Sequence, residues 1–427
     1  MNGGLLVKGG RVVDPSIPLD ALRDVRIAGG VVTEIGADLM PQAGEEVLDA
    51  HNAVVAPGLI DMHVHLREPG NPDKETILTG TEAALRGGFT AVACMPNTNP
   101  ALDRPETLNE LRALVERFAR CRVHPIGAIT KARAGAQACD FGDLSAAGAV
   151  AFSDDGSTVK SARVLRDAAL RALLVPGPFI SHCEDEELKG SGVMNEGKAS
   201  LALHLPGSPA VAEDAIVARD LLIALDTGKP WHIAHLSTRG GVETMRLMRH
   251  RGVAATCEVT PHHLHFVDAD VRVLGTAGKV NPPLRTAEDV VALREAVMDG
   301  TIDAFASDHA PHTAWEKAED FKTAAVGFSG LEIALGAYAA AVPDLPMERF
   351  VMLLSTNPAR ILGIPGGTLA TGSPGDVTVF ADRPWTVDSQ GFASKGHCTP
   401  FDGLELPRQC LATVVGGEVL YRADRNA

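Results

Sequence analysis

Aromatic side chains are scarce: Phe, Trp and Tyr number 13, 3 and 2 in 427 residues. A surface that stacks bases or sugar rings on aromatic faces is therefore not expected. Positive charge is short as well. Lys plus Arg is 39 against 54 for Asp plus Glu, a net charge of −15, which argues against nucleic acid held through its phosphate backbone. No run approaches the roughly 18 apolar residues that a membrane span needs. The opening MNGGLLVKGGRVVDP lacks the charged and apolar regions of a secretory signal. The seven cysteines are odd in number and include no CxxC pair. A disulfide framework is not expected, and a reduced, cytoplasmic protein is. What remains is an ordinary globular composition, 45% hydrophobic and 22% charged, too apolar for global disorder. At roughly 100–200 residues per domain, the length predicts two or three domains, or one large barrel with an attachment.

The two ends read alike. LLVKGGRVVD, DVRIAGGVVTEIG and EEVLDAHNAVVAPG near the N-terminus, and GSPGDVTVFAD and CLATVVGGEVLYR near the C-terminus, are short apolar strands between turn residues. Because domain termini tend to lie close together, residues 1–56 and 366–427 are expected to form one small β-sandwich-like domain. Two unrelated β appendages are the alternative. Between them, residues 57–365 alternate apolar segments with helical patterns. The segments are LIDMHVH, FTAVACMP, VHPIGAI, GAVAFSD, PFISHCE, WHIAHLS, VAATCEV and IDAFASDH. Eight such units imply an α/β fold, a (β/α)8 TIM barrel. A doubly wound sheet gives the same rhythm, but no GxGxxG follows the first strand.

Histidine, with 15 copies, is what the sequence does have. Nearly every apolar segment ends in His, Asp or Asn, and the carboxyl ends of barrel strands carry active sites. In DMHVH, His63 and His65 are two apart and share one side of a strand, a pairing that suits zinc. A lone histidine at a strand end is most simply a satisfied core or surface residue. His182, His235 and Asp308 ending three further segments favour metal. These ligands are too many for one tetrahedral zinc with an open position. Two metals at ~3.5–4 Å need a bridging anion besides water. Asp155 in FSDDG is the natural bridge and Asp154 its competitor, whose plainer role is a turn or cap carboxylate.

Taken together, HVHLREPG, MPNT, FSDDG, the single histidines at 182 and 235, KVNPPLR and ASDHAPH resemble the amidohydrolase superfamily, and within it the class I bacterial dihydroorotases. The resemblance runs to about residue 380. Many members bridge their metals with a carboxylated lysine. The fourth segment here ends in Asp154-Asp155 instead, as in the subgroup that uses an aspartate. The resemblance implies two Zn2+, the first on His63, His65 and Asp308, the second on His182 and His235, bridged by Asp155 and a hydroxide. It makes Arg67, Asn97 and His312 a carboxylate clamp, places Asn281 on the pyrimidine ring, and closes the pocket with backbone near Gly327 and Phe328. Arg67 lies two residues beyond His65, and its planar fork suits a carboxylate.

The activity so implied is reversible cyclisation of N-carbamoyl-L-aspartate to L-dihydroorotate in pyrimidine biosynthesis, with Asp308 carrying the proton. The rivals are a hydantoinase or allantoinase on the same scaffold, or a non-catalytic partner of aspartate transcarbamoylase; the retained ligand positions speak against the last. The resemblance also implies a homodimer, with association with aspartate transcarbamoylase a further expectation. His262, His263 and His265 are read as structural, His204 as loop surface, and His309 as pointing away from the site. Residues 306–330 are long and polar enough for a lid. The metals and Arg67 outweigh Asp155, Asp308 and the hydroxide, so an acidic protein is expected to carry a locally cationic pocket for an anion.

Overall fold

A computed structural model describes residues 4–423 of the chain. Eight parallel strands lie in sequence order in one sheet: Leu59–Val64, Phe89–Cys94, Arg122–Ala128, Ala151–Ser153, Phe179–Ser181, Trp231–Ile233, Ala255–Val259 and Ala304–Phe305. The ring closes between its last and first members. His65 N donates to His309 O at 2.8 Å, and Val64 bridges His309 in parallel. The sequence segments and the strands coincide because both faces of each strand are covered. Leu59–Val64 and Phe89–Cys94 are buried at every position, so they read as continuous apolar runs rather than alternations.

The scarcity of aromatics shows in how the barrel is filled. Its interior core uses Ile60, Met62, Ala91, Ala93, Ile126, Ala151, Ile180, Ala234 and Ala304. The larger Phe152, Phe179, Trp231 and Phe305 face the surrounding helices in a second cluster. The helices start where sequence rules place them. Thr76, Thr238 and Thr286 cap Ile77–Arg86, Arg239–His250 and Ala287–Asp299 by accepting a hydrogen bond from a backbone N–H of the first turn.

The chain ends share a second, eight-stranded sheet. Val54–Pro57 runs antiparallel to Val377–Ala381, with Val377 opposite Pro57, so the last strand before the barrel pairs with the first strand after it. Val7, Val25, Ile27, Val55, Val379 and Val414 form its separate core. Not all of 366–427 joins this sheet. Trp385–Thr386 and Glu405–Leu406 make a small ribbon of their own. Val387, Phe401 and Leu406 there pack with Phe266 and Phe328 of the barrel, because a run of large apolar groups is better buried against the barrel than left at a sheet edge.

Candidate active site

The first barrel strand ends in a break. Its ladder to Phe89–Cys94 shifts register between Asp61 and Val64, and irregularities of this kind re-aim side chains at barrel rims. His63 and His65 leave the strand there with their Nε2 atoms 3.5 and 3.1 Å from Asp308 Oδ1. Asp155 stands opposite. Its Oδ1 is 3.5 Å from His63 Nε2, His182 Nδ1 and His235 Nε2, and its Oδ2 is 3.6 Å from His65 Nε2. Two groups of metal-binding geometry result, His63–His65–Asp155 and Asp155–His182–His235, with Asp155 common to both. The neighbouring Asp154 is turned away. Its Oδ1 accepts from the backbone N–H of Ile129 and Thr130, both at 2.9 Å, which is the turn role.

This donor set fits a cation. His63 Nε2 and Asp155 Oδ1 are buried, face each other and have no hydrogen-bond partner. Buried polar atoms are nearly always satisfied, and a lone pair facing a carboxylate oxygen is satisfied by positive charge. The electrostatics agree. Burial opposes charge on His63, yet Asp155, Asp308 and Glu258 outweigh it and hold its pKa well above the imidazole range. Burial likewise opposes charge on Asp155 and Asp308, and the surrounding histidines overcome it, holding both below the usual carboxylate range.

Second partners orient the imidazoles. His63 Nδ1 donates to Glu258 Oε1 at 2.7 Å, and Glu258 Oε2 is 3.1 Å from His232 Nε2. His65 Nδ1 donates to Asn97 Oδ1 at 2.9 Å. Each bond places a proton on Nδ1 and leaves the Nε2 lone pair for a metal. Glu258 was not anticipated, although a signal existed: it is a glutamate inside a buried strand, Ala255–Val259, and such residues are almost never fully buried without a partner. Glu258→Gln is expected to weaken metal binding about 10–100-fold while the fold persists, as for other partners of ligating histidines. Chelator competition measures this, and unchanged affinity would remove Glu258 from the account.

His65, Asp155, His182, His235 and Asp308 border a cavity of about 350 Å3, also lined by Arg67, Asn97, Lys189, Asn281, His312, Ala325, Val326 and Gly327. Arg67 Nη2 is 3.2 Å from His312 Nε2, which is 2.9 Å from Val326 O. A carbonyl only accepts, so the His312 proton sits on Nε2. The Arg67 guanidinium and the His312 imidazole are thereby held side by side at the mouth, a cationic edge that suits an anion. Arg67, His235 and Asp308 all have positive φ, at 62°, 31° and 49°. Backbone strain of this kind clusters at functional sites.

Of the backbone expected to close the pocket, Gly327 lines the cavity and Phe328 does not. Its ring packs against His262 with centroids 4.9 Å apart, and its carbonyl accepts from Ala310 N, because a phenyl group gains more in the core than at a polar mouth. Asn281 does line the cavity, but its amide is already engaged. Oδ1 accepts from Lys189 Nζ at 3.2 Å, and Nδ2 donates to Glu184 Oε2 at 3.1 Å. Lys189 and Glu184 thus join the site through Asn281, and nothing in their spacing signalled it. The other histidines are engaged elsewhere. His263 Nε2 bonds Pro282 O, His262 Nε2 lies against the Thr260 hydroxyl, and His309 Nε2 lies 3.3 Å from Glu75. His204 is exposed.

Comparison with known proteins agrees with this geometry. The Dihydro-orotase-like family matches residues 52–241. A dihydroorotase of Pelotomaculum thermopropionicum is 49% identical, covering 98% of each chain. One of Geobacter metallireducens is 45% identical over 98% of this chain and 99% of its own. Among solved structures, the L-hydantoinase (dihydropyrimidinase) of Arthrobacter aurescens superposes with a TM-score of 0.87 at 26% identity, covering 97% of this chain and 95% of that one. The fold is thus shared with hydantoinases, while the sequence sides with the dihydroorotases at full length: the chain belongs to the dihydroorotase family.

Proposed function

We propose that the protein is a zinc-dependent dihydroorotase, interconverting N-carbamoyl-L-aspartate and L-dihydroorotate in the step that closes the pyrimidine ring. The observation that carries this reading is a shared carboxylate facing an anion clamp. Asp155 belongs to both metal-binding groups, and Arg67 with His312 stands on the wall of the same cavity. On this reading His63, His65 and Asp308 hold the first Zn2+, His182 and His235 the second, and Asp155 joins them. When bound, the metal pair lowers the pKa of a bound water toward roughly 7 and polarises the carbonyl under attack.

The chain's own groups supply the rest. Arg67 and the amide donors that Asn97 keeps after binding His65 hold the substrate carboxylate, with the His312 ring fixed beside Arg67 as the third member of the clamp. They turn the adjacent carbonyl carbon toward the metal ligands. Asp308, held below the usual carboxylate range by burial-defying histidine contacts, is ionised and can accept the proton of the attacking water. It returns that proton to the ring nitrogen as the C–N bond breaks, giving the open ureido acid. In the direction of synthesis the same carboxylate takes the proton from the ureido nitrogen. The backbone from Ala325 to Gly327 closes one side of the cavity and limits access of bulk water.

A spectrophotometric assay of dihydroorotate hydrolysis, run with and without a chelator, tests the proposal. Turnover abolished by chelation and restored by Zn2+ supports it. Turnover of hydantoin or allantoin with none of dihydroorotate would overturn it. Arg67→Met is expected to raise KM for dihydroorotate by about 10–150-fold, the equivalent of the ~1.5–3 kcal/mol carried by a hydrogen bond to a charged group. An unchanged KM would remove Arg67 from the clamp.

A further inference from the structure

Segment 322–327, whose Ala325, Val326 and Gly327 line the cavity, has neither helix nor ladder to use its carbonyls. Backbone carbonyls need partners, and here side chains provide them in succession. Lys279 Nζ donates to Lys322 O at 3.1 Å and Ala324 O at 2.7 Å. Lys317 Nζ donates to Ala325 O at 2.9 Å and Gly327 O at 2.8 Å. Between these two, Val326 O accepts from His312 Nε2. Each carbonyl from Ala324 to Gly327 is thereby held, and the Lys279 carbonyl accepts from Gly327 N at 2.9 Å. Both lysines are buried, at 4% and 5% exposure.

We infer that Lys279 and Lys317 are positioning residues for substrate binding, stapling segment 322–327 across the cavity and, through Val326, fixing His312 beside Arg67. The inference rests on the reading that Arg67 and His312 bind a carboxylate. The choice of side chain supports a role beyond closing a loop. Burying an ammonium is costly unless it is hydrogen-bonded, and neutral donors would satisfy carbonyls at lower cost. Because their hydrogen bonds run to neutral carbonyls, the two lysines place positive charge behind the roof of a cavity built for an anion, with Asp320 the carboxylate that acts on Lys279. Burial lowers both pKa values, that of Lys317 to about 8. The two lysines come from separate stretches of chain, one before Ala287–Asp299 and one on the short helix Ala314–Lys317. The roof is therefore held by two neighbouring stretches of chain, with the Thr276 hydroxyl donating to Lys317 O at 2.6 Å between them.

Two measurements on full-length, zinc-loaded protein test this. In the wild type, the amides of Ala325 and Gly327, which bond Glu316 O and Lys279 O, should exchange with solvent nearly as slowly as those of the barrel strands; free exchange of both would overturn the staple outright. In Lys317→Met, which keeps the apolar stem and loses the donors, roof exchange should accelerate and KM for dihydroorotate should rise roughly tenfold, the loss expected for charged donors. Meanwhile kcat should stay within about threefold and zinc content should not change. Lys317→Arg should restore most of the KM. Faster exchange with unchanged KM, or kcat and zinc falling together with KM, would each refute the positioning role. If Lys317→Met does not fold, Lys279→Met breaks the other anchor and is read in the same way. Were the wild type to turn over no dihydroorotate, the functional proposal would fail while the exchange measurement still decided whether the roof is stapled.

Discussion

Asp308→Asn should retain its zinc and lose at least about 10²–10⁴ of its turnover, the range that a positioned proton-transfer group contributes. Asp308 Oδ1 lies 3.1 Å from His65 Nε2 and 3.5 Å from His63 Nε2, so one carboxylate oxygen is directed at the first metal group while the residue still borders the cavity. Asn keeps the shape and an oxygen donor but cannot accept and return a proton at the reacting centre. Asp308→Ala removes both functions, and its loss should be larger, with zinc falling as well. Steady-state kinetics beside elemental analysis separate the two effects. Near-native turnover in Asp308→Asn would mean that another group carries the proton.

Asp155→Ala should bring activity below detection and bound zinc down to one equivalent or less. No other side chain belongs to both groups of ligands. Its removal takes away the anion that offsets two dications held at short range. The adjacent residue provides the internal control. Asp154 Oδ1 accepts two backbone N–H groups at 2.9 Å, and its other oxygen bonds the Thr130 hydroxyl. Asp154→Ala should therefore lower stability by ~1–3 kcal/mol, the cost of unsatisfied buried donors, with zinc bound at two equivalents when folded. A thermal melt and a zinc titration of the two variants distinguish a bridge from a turn. Reversal of the two phenotypes would exchange the assignments.

The barrel and its mouth were legible because the residues that form them are close in sequence and repeat. Each strand is an apolar run with a polar residue at its carboxyl end, so DMHVH, FSDD, SHCE, AHLS and ASDH announce both element and site. The histidine pair on one strand needed only local periodicity. What stayed hidden depends on distant chain segments meeting. Glu258 reaches His63 across 195 positions. The engaged amide of Asn281 depends on Glu184 and Lys189, nearly a hundred residues away. Phe328 faces the core because the ribbon at 385–406 returns to cover it, a packing decision that no local pattern encodes. The choice between Asp154 and Asp155 was likewise not local. It is made by the backbone of Ile129 and Thr130, which captures one carboxylate and leaves the other to the histidines.

The central claim is that one aspartate joins two metal groups beside an anion clamp. An anomalous-difference map at the zinc absorption edge, from crystals of the zinc-loaded protein, tests it most directly. The account predicts two peaks about 3.5–4 Å apart, one among His63, His65, Asp155 and Asp308, the other among Asp155, His182 and His235. A single peak that leaves Asp155 uncoordinated, or a metal held by Asp154, would contradict it.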